Sequence, residues 1–489
     1  MPDRPHILWL CTDSQRWDTL GCYGNPHVRT PHLDALAGRG TRYDLAIAQN
    51  PLCTPSRGSF LTGRYPSATG LVMNGQRCPA DLRPIPARFR DAGYRTGLVG
   101  KLHLTACDQR FRMGERWWDY GPREWAVGVE PRFIDDGYQS FEWDHAARTD
   151  DPSSAYSRWL DQQDADPPET PTVADRKALV QPGMPEPLHQ TTWCVERAID
   201  FIGADPSSAW FASINFFDPH YKFNPPPELL AGYRDRLARM PLPRRREGEL
   251  DHLPAAFGKA ADRFAHMTDD DHRLAIAAYY AMIDLIDRQV GRLLEHLDAT
   301  GQLENTLVVF MSDHGEMLGD HGLYTKDAFL YDPAVRVPLI LAGPGVPAGQ
   351  VVDAPVELVD LAPTLLDAAG LSSGPHHMHG RSLLATGTGR HDPPRTDAFA
   401  EFHNATPDGL ETHATMIRTR GAKLVIHDPP DADPRQPIGE LYDLTADPHE
   451  LHNRFDDPQY AELKIELLTR LALRQQRMAS PLPARIGAF

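Results

Sequence analysis

A chain of 489 residues, 41% hydrophobic and 24% charged, is long enough for one large core, or a large and a smaller one, and has the composition of a globular protein. Its 67 acidic and 50 basic residues leave a net charge of −17, which argues against nucleic acid or an anionic membrane as partner, since both need a basic face. A small anionic substrate stays open, because a few cations focused in a cleft outweigh the global field.

The N-terminus passes from Met1-Pro2-Asp3-Arg4-Pro5 straight into the apolar run His6 to Leu10, with no signal-peptide pattern. No stretch approaches the roughly 18 apolar residues of a spanning helix, and a cytoplasmic location is expected. Buried strands are predicted at Ile7 to Cys11, Thr96 to Val99, Trp210 to Asn215, Thr306 to Met311 and Val337 to Leu341. Helices are predicted at Pro31 to Gly38, Thr191 to Ile202 and Arg273 to Leu297, the last from a 3.6-residue apolar period through Ile276, Tyr280, Ile283, Ile286, Val290 and Leu294. This alternation predicts an α/β fold with a large, mostly parallel sheet sandwiched by helices.

Arg148 to Pro187 and Asn224 to Phe257, rich in Pro and charge, read as surface insertions. Near Thr396 the texture changes. Strands at Thr415 to Thr419, Lys423 to His427 and Glu440 to Leu444, the loop Asp428 to Gly439 and a helix from Pro458 to Gln475 describe a smaller α+β unit with an antiparallel sheet. The expected division is 1–390 for the catalytic domain and 391–489 for the C-terminal subdomain. The tail Leu471 to Phe489 is a candidate contact for a homo-oligomer. His376, His377 and His379 sit in a Gly/Pro-flanked loop and are expected to be exposed.

Six cysteines, at 11, 22, 53, 78, 107 and 194, form no CxxC pair and read mostly as small buried hydrophobes. Cys53 stands out in Cys53-Thr54-Pro55-Ser56-Arg57, followed by Leu61-Thr62-Gly63-Arg64. Beside a proline and an arginine it reads either as an activated thiolate or as a structural cysteine. Ser312-Asp313-His314-Gly315-Glu316 directly follows one predicted strand, and Asp13 follows another. If those strands are parallel neighbours, Asp13, Asp313 and His314 meet at one sheet edge and make a divalent-cation site.

The pattern C-x-P-S-R with L-T-G-R resembles the sulfatase signature, whose cysteine is oxidised after translation to formylglycine. Thr12-Asp13-Ser14-Gln15-Arg16, Gly100-Lys101-Leu102-His103, Asp218-Pro219-His220, Asp360-Leu361-Ala362-Pro363-Thr364 and Glu440-Leu441-Tyr442-Asp443-Leu444 resemble further landmarks of that family, in its order. The resemblance implies the alkaline-phosphatase-like fold. It implies metal ligation by Asp13, Asp313, His314 and the modified Cys53. Arg57, Lys101 and Lys326 would neutralise the sulfate oxygens and the aldehyde hydrate, with His103 as base and His220 as acid. Asn74, Lys101, His220 and Lys326 would contact substrate.

The implied cofactor is one divalent ion, manganese, magnesium or calcium, and the implied partner is a formylglycine-generating enzyme. Ser14 departs from the acidic residue that sulfatases commonly carry after the first metal aspartate. With a nitrogen from His314, this tilts the donor set from calcium toward manganese, magnesium or zinc. The implied reaction is hydrolysis of an aryl, sugar or alkyl sulfate through a covalent sulfated hemiacetal. The alternative is a phosphonate monoester or phosphate diester hydrolase with the same nucleophile; Lys101 and His103 favour the sulfate ester.

Overall fold

The computed structural model describes residues 4–105, 134–147, 149, 154–163, 179–372, 378–384, 394–405, 411–429 and 437–478. In chain order its strands are β1 (His6–Thr12), β2 (Thr41–Tyr43), β3 (Ala46–Ile47), β4 (Arg95–Gly100), β5 (Ser140–Trp143), β6 (Trp210–Asn215), β7 (Thr306–Ser312), β8 (Arg336–Val337), β9 (Leu339–Ala342), β10 (Gln350–Val352), β11 (Val356–Glu357), β12 (Asp397–Ala405), β13 (Glu411–Thr419), β14 (Ala422–Asp428) and β15 (Ile438–Asp443). Eight form one sheet in the order β10-β2-β9-β7-β1-β6-β4-β5, in which only β9 runs against the rest. The mixed, mostly parallel α/β sheet is as the sequence predicts.

Every residue of β1 is buried, because both faces of a parallel sheet are covered. Leu8 and Leu10 face the core under the helices Gln190–Gly203 and Asp269–Ala299, while Ile7, Trp9 and Cys11 face the core under Cys53–Thr62, Ile85–Asp91 and Leu361–Ala368. The long helix begins at a capping box, in which Thr268 and Asp271 satisfy each other's backbone N–H groups.

Several expectations are sharpened. The strand predicted at Val337 to Leu341 is two strands in different sheets: β8 joins β3 and β11, β9 joins β7 and β2, and Pro338 between them has no N–H for a ladder. The insertion 224–257 contains the helix Pro227–Arg234, and Ala255–Asp262 begins at its end. Of the stretch 148–187, the structure describes residue 149, residues 154–163 with the helix Ala155–Gln162, and the residues from 179 onward; the rest lies outside the described residues, as do His376, His377 and Cys107. His379 is half-buried rather than exposed, its Nδ1 accepting from Tyr65 N–H and its ring against that tyrosine. The C-terminal helix is Ala461–Met478, and the tail beyond it lies outside the described residues. No described helix is long and apolar enough to cross a membrane.

The antiparallel sheet β12-β13-β14-β15 is packed on both faces. Ala398, Ala400, Phe402, Met416 and Val425 share a core with Leu45, Ile47, Leu52 and Phe329, while Phe399, Ile417 and Leu424 meet Leu467 and Leu471 of the last helix. A buried ion cluster closes this junction. Glu357, 0% exposed, accepts from Tyr65 Oη and Phe399 N at 2.7 Å, Arg395 Nη1 at 3.0 Å and Arg474 Nη2 at 2.5 Å. Deleting that carboxylate leaves Arg395 with Asp360 alone and Arg474 with Asp397 alone, so Glu357→Ala is expected to destabilise the fold by about 2–4 kcal/mol in urea unfolding; a loss under about 1 kcal/mol would mean that the remaining carboxylates and solvent already balance the cluster.

Candidate active site

The site gathers at the carboxyl ends of neighbouring strands, the position that open α/β sheets reserve for ligands. β1 and β7 are parallel neighbours with Thr12 opposite Ser312, so the next residues, Asp13 and Asp313, come together. Asp313 N–H donates to Thr12 carbonyl and Asp13 N–H to Asp218 carbonyl, both at 3.1 Å. β4 delivers Lys101 through Gly100, whose φ of +89° and close approach to the Asn215 carbonyl exclude a side chain. The loop after β6 brings His220.

Cys53 opens the fully buried helix Cys53–Thr62, where the sequence suggested only a proline turn. Pro55 is compatible with helix here because it lies in the first turn, where N–H groups lack intrahelical partners. Leu52, at the N-cap, offers no side-chain acceptor, and Asn74 Oδ1 instead accepts from Thr54 N–H at 2.9 Å. Asn74, expected to meet substrate, thus touches the start of the nucleophile's helix. At the other end Gly63 takes φ +70° and donates to Ser59 carbonyl.

Asp13, Cys53, Asp313 and His314 are buried, and their ligand atoms lie within 4.8 Å of one another. Cys53 Sγ is 3.3 Å from His314 Nε2 and 3.9 Å from Asp13 Oδ1. His314 Nδ1 pairs with Gly315 carbonyl at 2.9 Å, so that nitrogen carries the proton and leaves the Nε2 lone pair for a ligand. Two carboxylates, one imidazole nitrogen and the Cys53 side chain fit a divalent ion. Ser14, at φ +67°, donates its hydroxyl to Asp13 Oδ1 at 2.9 Å and accepts from Lys326 Nζ at 3.3 Å, tying the lysine to the aspartate.

Three cations gather around Cys53. Lys326 Nζ and Lys101 Nζ stand 3.1 and 3.5 Å from Cys53 Sγ, and Lys101 also holds Asp13 Oδ2 at 2.6 Å. Arg57, one helical turn past Cys53, bridges Asp313 at 2.9 Å and Asp13 at 3.4 Å. Burial opposes ionisation of the Cys53 thiol, but Lys101, Lys326 and His314 outweigh it and hold its pKa well below the ordinary value. His103, also at φ > 0, is pushed by burial down to about 4 despite its hydrogen bond with Cys53, and is neutral near pH 7. Burial, with Lys326 adding to it, lowers the His220 pKa as well; its Nε2 lies 4.0 Å from Asp13 and its Nδ1 pairs with Tyr221 carbonyl.

The sequence reading missed two residues here. His145, at the carboxyl end of β5, packs edge-on to His103 with ring centroids 4.5 Å apart. Nothing local marks it, because β5 is only four residues long and was not predicted. Glu316 stood in a quoted motif without a role; its buried carboxylate accepts from Leu318 and Thr325 N–H and closes the loop that delivers Lys326.

The sulfatase family model matches residues 5–371, three quarters of the chain and all the strands that supply this site. The chain belongs to the sulfatase family. A second model, the C-terminal region of N-sulphoglucosamine sulphohydrolase, matches residues 319–477 of this sulfatase. An N-acetylglucosamine-6-O-sulfatase of Bacteroides thetaiotaomicron is 30% identical over 97% of this chain and 87% of its own, and an arylsulfatase of Clostridium perfringens is 29% identical over 96% and 94%. The phosphonate monoester hydrolase of Silicibacter pomeroyi superimposes with a TM-score of 0.79 over 99% of this chain and 97% of its own, at 24% identity, a likeness of fold.

The charge arrangement is testable on protein whose Cys53 is left as a thiol. Replacing either Lys101 or Lys326 by Met removes a cation that favours the thiolate, so the pH at which iodoacetamide alkylation accelerates should rise; an unmoved profile would disprove the electrostatic coupling.

Proposed function

We propose that this sulfatase hydrolyses a sulfate ester with a formylglycine nucleophile made from Cys53 by a formylglycine-generating enzyme. The observation that supports it most is the convergence of Lys101, Lys326 and His314 within 3.5 Å of Cys53 Sγ, at the head of a helix. A cysteine kept only for packing gains nothing from three such neighbours. Residues 1–390 carry this chemistry, with 391–489 as a supporting subdomain.

A sulfate ester resists water because its sulfur is shielded by anionic oxygens. The divalent ion, held by Asp13, Asp313, His314 and the modified Cys53, supplies Lewis acidity and fixed positive charge. Arg57 orients both ligand carboxylates through its bridging contacts. Lys101 and Lys326 are placed to neutralise the sulfate oxygens without reorganising, which favours the transition state. The modified Cys53 would supply an oxygen nucleophile, deprotonated beside the ion, toward sulfur, and His220 would give a proton to the oxygen of the departing alcohol or phenol. Because His220 Nδ1 pairs with a carbonyl, its Nε2 donates only from the imidazolium, a state that the negative charge of a bound sulfate ester favours.

The sulfated hemiacetal is then broken by elimination. Neutral His103 takes the proton of the remaining hydroxyl, the C=O bond re-forms and sulfate leaves, so water never attacks sulfur. Lys101 and His103 tilt this reading toward the sulfate ester, because both belong to the sulfatase-like motif Gly100-Lys101-Leu102-His103.

Peptide mass spectrometry on protein made with the modifying enzyme should find the mass of –CHO in place of –CH2SH at Cys53, and Cys53→Ala should abolish aryl sulfate turnover. Substantial activity in that variant would end the covalent mechanism. Faster turnover of a phenyl phosphonate monoester than of an aryl sulfate would favour the alternative substrate class. In His103→Ala, kcat should fall by about 10²–10⁴ and a sulfate adduct at position 53 should accumulate; loss of rate without an adduct would move His103 out of the elimination step. Chelation should remove activity and a divalent salt restore it, with manganese, magnesium, calcium and zinc compared for the best rate.

A further inference from the structure

The C-terminal sheet carries a second group of nitrogen donors, built from none of the residues of the sulfatase centre. The register of β12 and β13 sets His403 directly opposite His413. Their Nδ1 atoms are 3.1 Å apart, with the rings inclined at 46°. His403 Nε2 donates to Glu401 Oε2 at 3.0 Å, since a carboxylate can only accept. Glu401 has a side chain only 3% exposed, and its Oε1 accepts from Ser67 N–H at 2.8 Å. The neutral His403 ring therefore keeps its proton on Nε2 and presents the bare Nδ1 lone pair to His413.

A carboxylate behind one imidazole, with the other ring nitrogen aimed at a second imidazole, is the arrangement that orients histidines for metal binding. The spacing also selects the ion. With metal–nitrogen bonds of about 2.0–2.1 Å, nitrogens 3.1 Å apart subtend close to a right angle, the cis angle of a tetragonal or octahedral ion rather than the wider tetrahedral one. We propose that His403 and His413 form a second metal site that takes a tetragonal divalent ion of the copper or nickel kind, with Glu401 holding His403 in the ligating tautomer. Binding requires His413 to carry its proton on Nε2.

The ion would cross-link the two strands nearest the catalytic body. Glu401 N–H donates to Gln49 carbonyl at 2.9 Å, and Asn50 Nδ2 donates to Glu401 carbonyl at 2.7 Å. The site therefore braces the segment that runs into the Cys53 helix, and bound ion stabilises the folded state in proportion to its occupancy.

The test adds Cu2+ to the full chain already holding its catalytic ion, and compares wild type with His403→Asn, His413→Asn and Glu401→Gln. Wild type should bind one more equivalent of Cu2+ than either histidine variant, with a two-nitrogen hyperfine pattern in electron paramagnetic resonance. Cu2+ should raise the wild-type unfolding temperature more than that of either histidine variant. Glu401→Gln should weaken this binding by about 10- to 100-fold. Copper that enters the catalytic centre contributes equally to all four proteins. Equal stoichiometry and equal spectra in wild type and the folded histidine variants would overturn the proposal and leave the pair as an N–H···N hydrogen bond between two imidazoles.

Discussion

The molecule is organised around two carboxylates that cannot be buried alone. Asp13 and Asp313 are completely shielded from water and sit on adjacent parallel strands, so their mutual repulsion has no solvent to screen it. Arg57 bridges them and Lys101 pairs with the same Asp13 oxygen, and this compensation fixes where the neighbouring elements lie. The Cys53 helix must present Arg57 one turn behind the nucleophile, and β4 must end where Lys101 reaches Asp13. The Asp13 pKa is held well below its ordinary value, because Lys101 and Lys326 outweigh burial and the nearby Cys53.

That requirement joins stability to catalysis. Lys101 and Lys326, which help make burial of the carboxylates tolerable, also flank Cys53, and the helix carrying Arg57 carries that cysteine as well. The C-terminal sheet completes the arrangement from outside. It packs Phe402 and Met416 against Leu52, the residue before Cys53, and the Glu357 cluster ties the last helix to Tyr65 beyond the same helix. A second buried cluster, in which Asp332 pairs with Arg418 and Lys423, locks this sheet to the loop that follows Lys326. The supporting unit therefore acts on the site through the walls of the nucleophile's helix and of the lysine loop.

Much of the plan is legible in the chain. Long apolar runs such as Ile7 to Cys11 declare buried parallel strands, because both faces of such a strand meet hydrophobic layers. The helix Asp269–Ala299 is legible from its period, and Asp13 and Asp313 from their place just after strands. Short elements are not legible in this way. β2, β3, β5 and β10 have two to four residues each, too few for a period, and they form because the tertiary fold brings another strand's ladder edge beside them. His145 is invisible for that reason, and the Cys53 helix is obscured because Pro55 reads as a turn until its place in the first turn is known.

The sequence by itself determined the family and its chemical groups: a cysteine with an arginine four residues on, an Asp-His pair after a strand, and lysines and histidines in family order. These follow from side-chain identity and local spacing, which the chain states directly. Only the tertiary structure decided how that chemistry is held. It set Asn74 as the cap of the Cys53 helix, Ser14 as the tie between Asp13 and Lys326, and Glu316 as the clamp on the lysine loop. Each is a hydrogen bond between groups whose meeting depends on strand order and loop closure. Partners brought together in that way leave no spacing in the sequence from which they could be read.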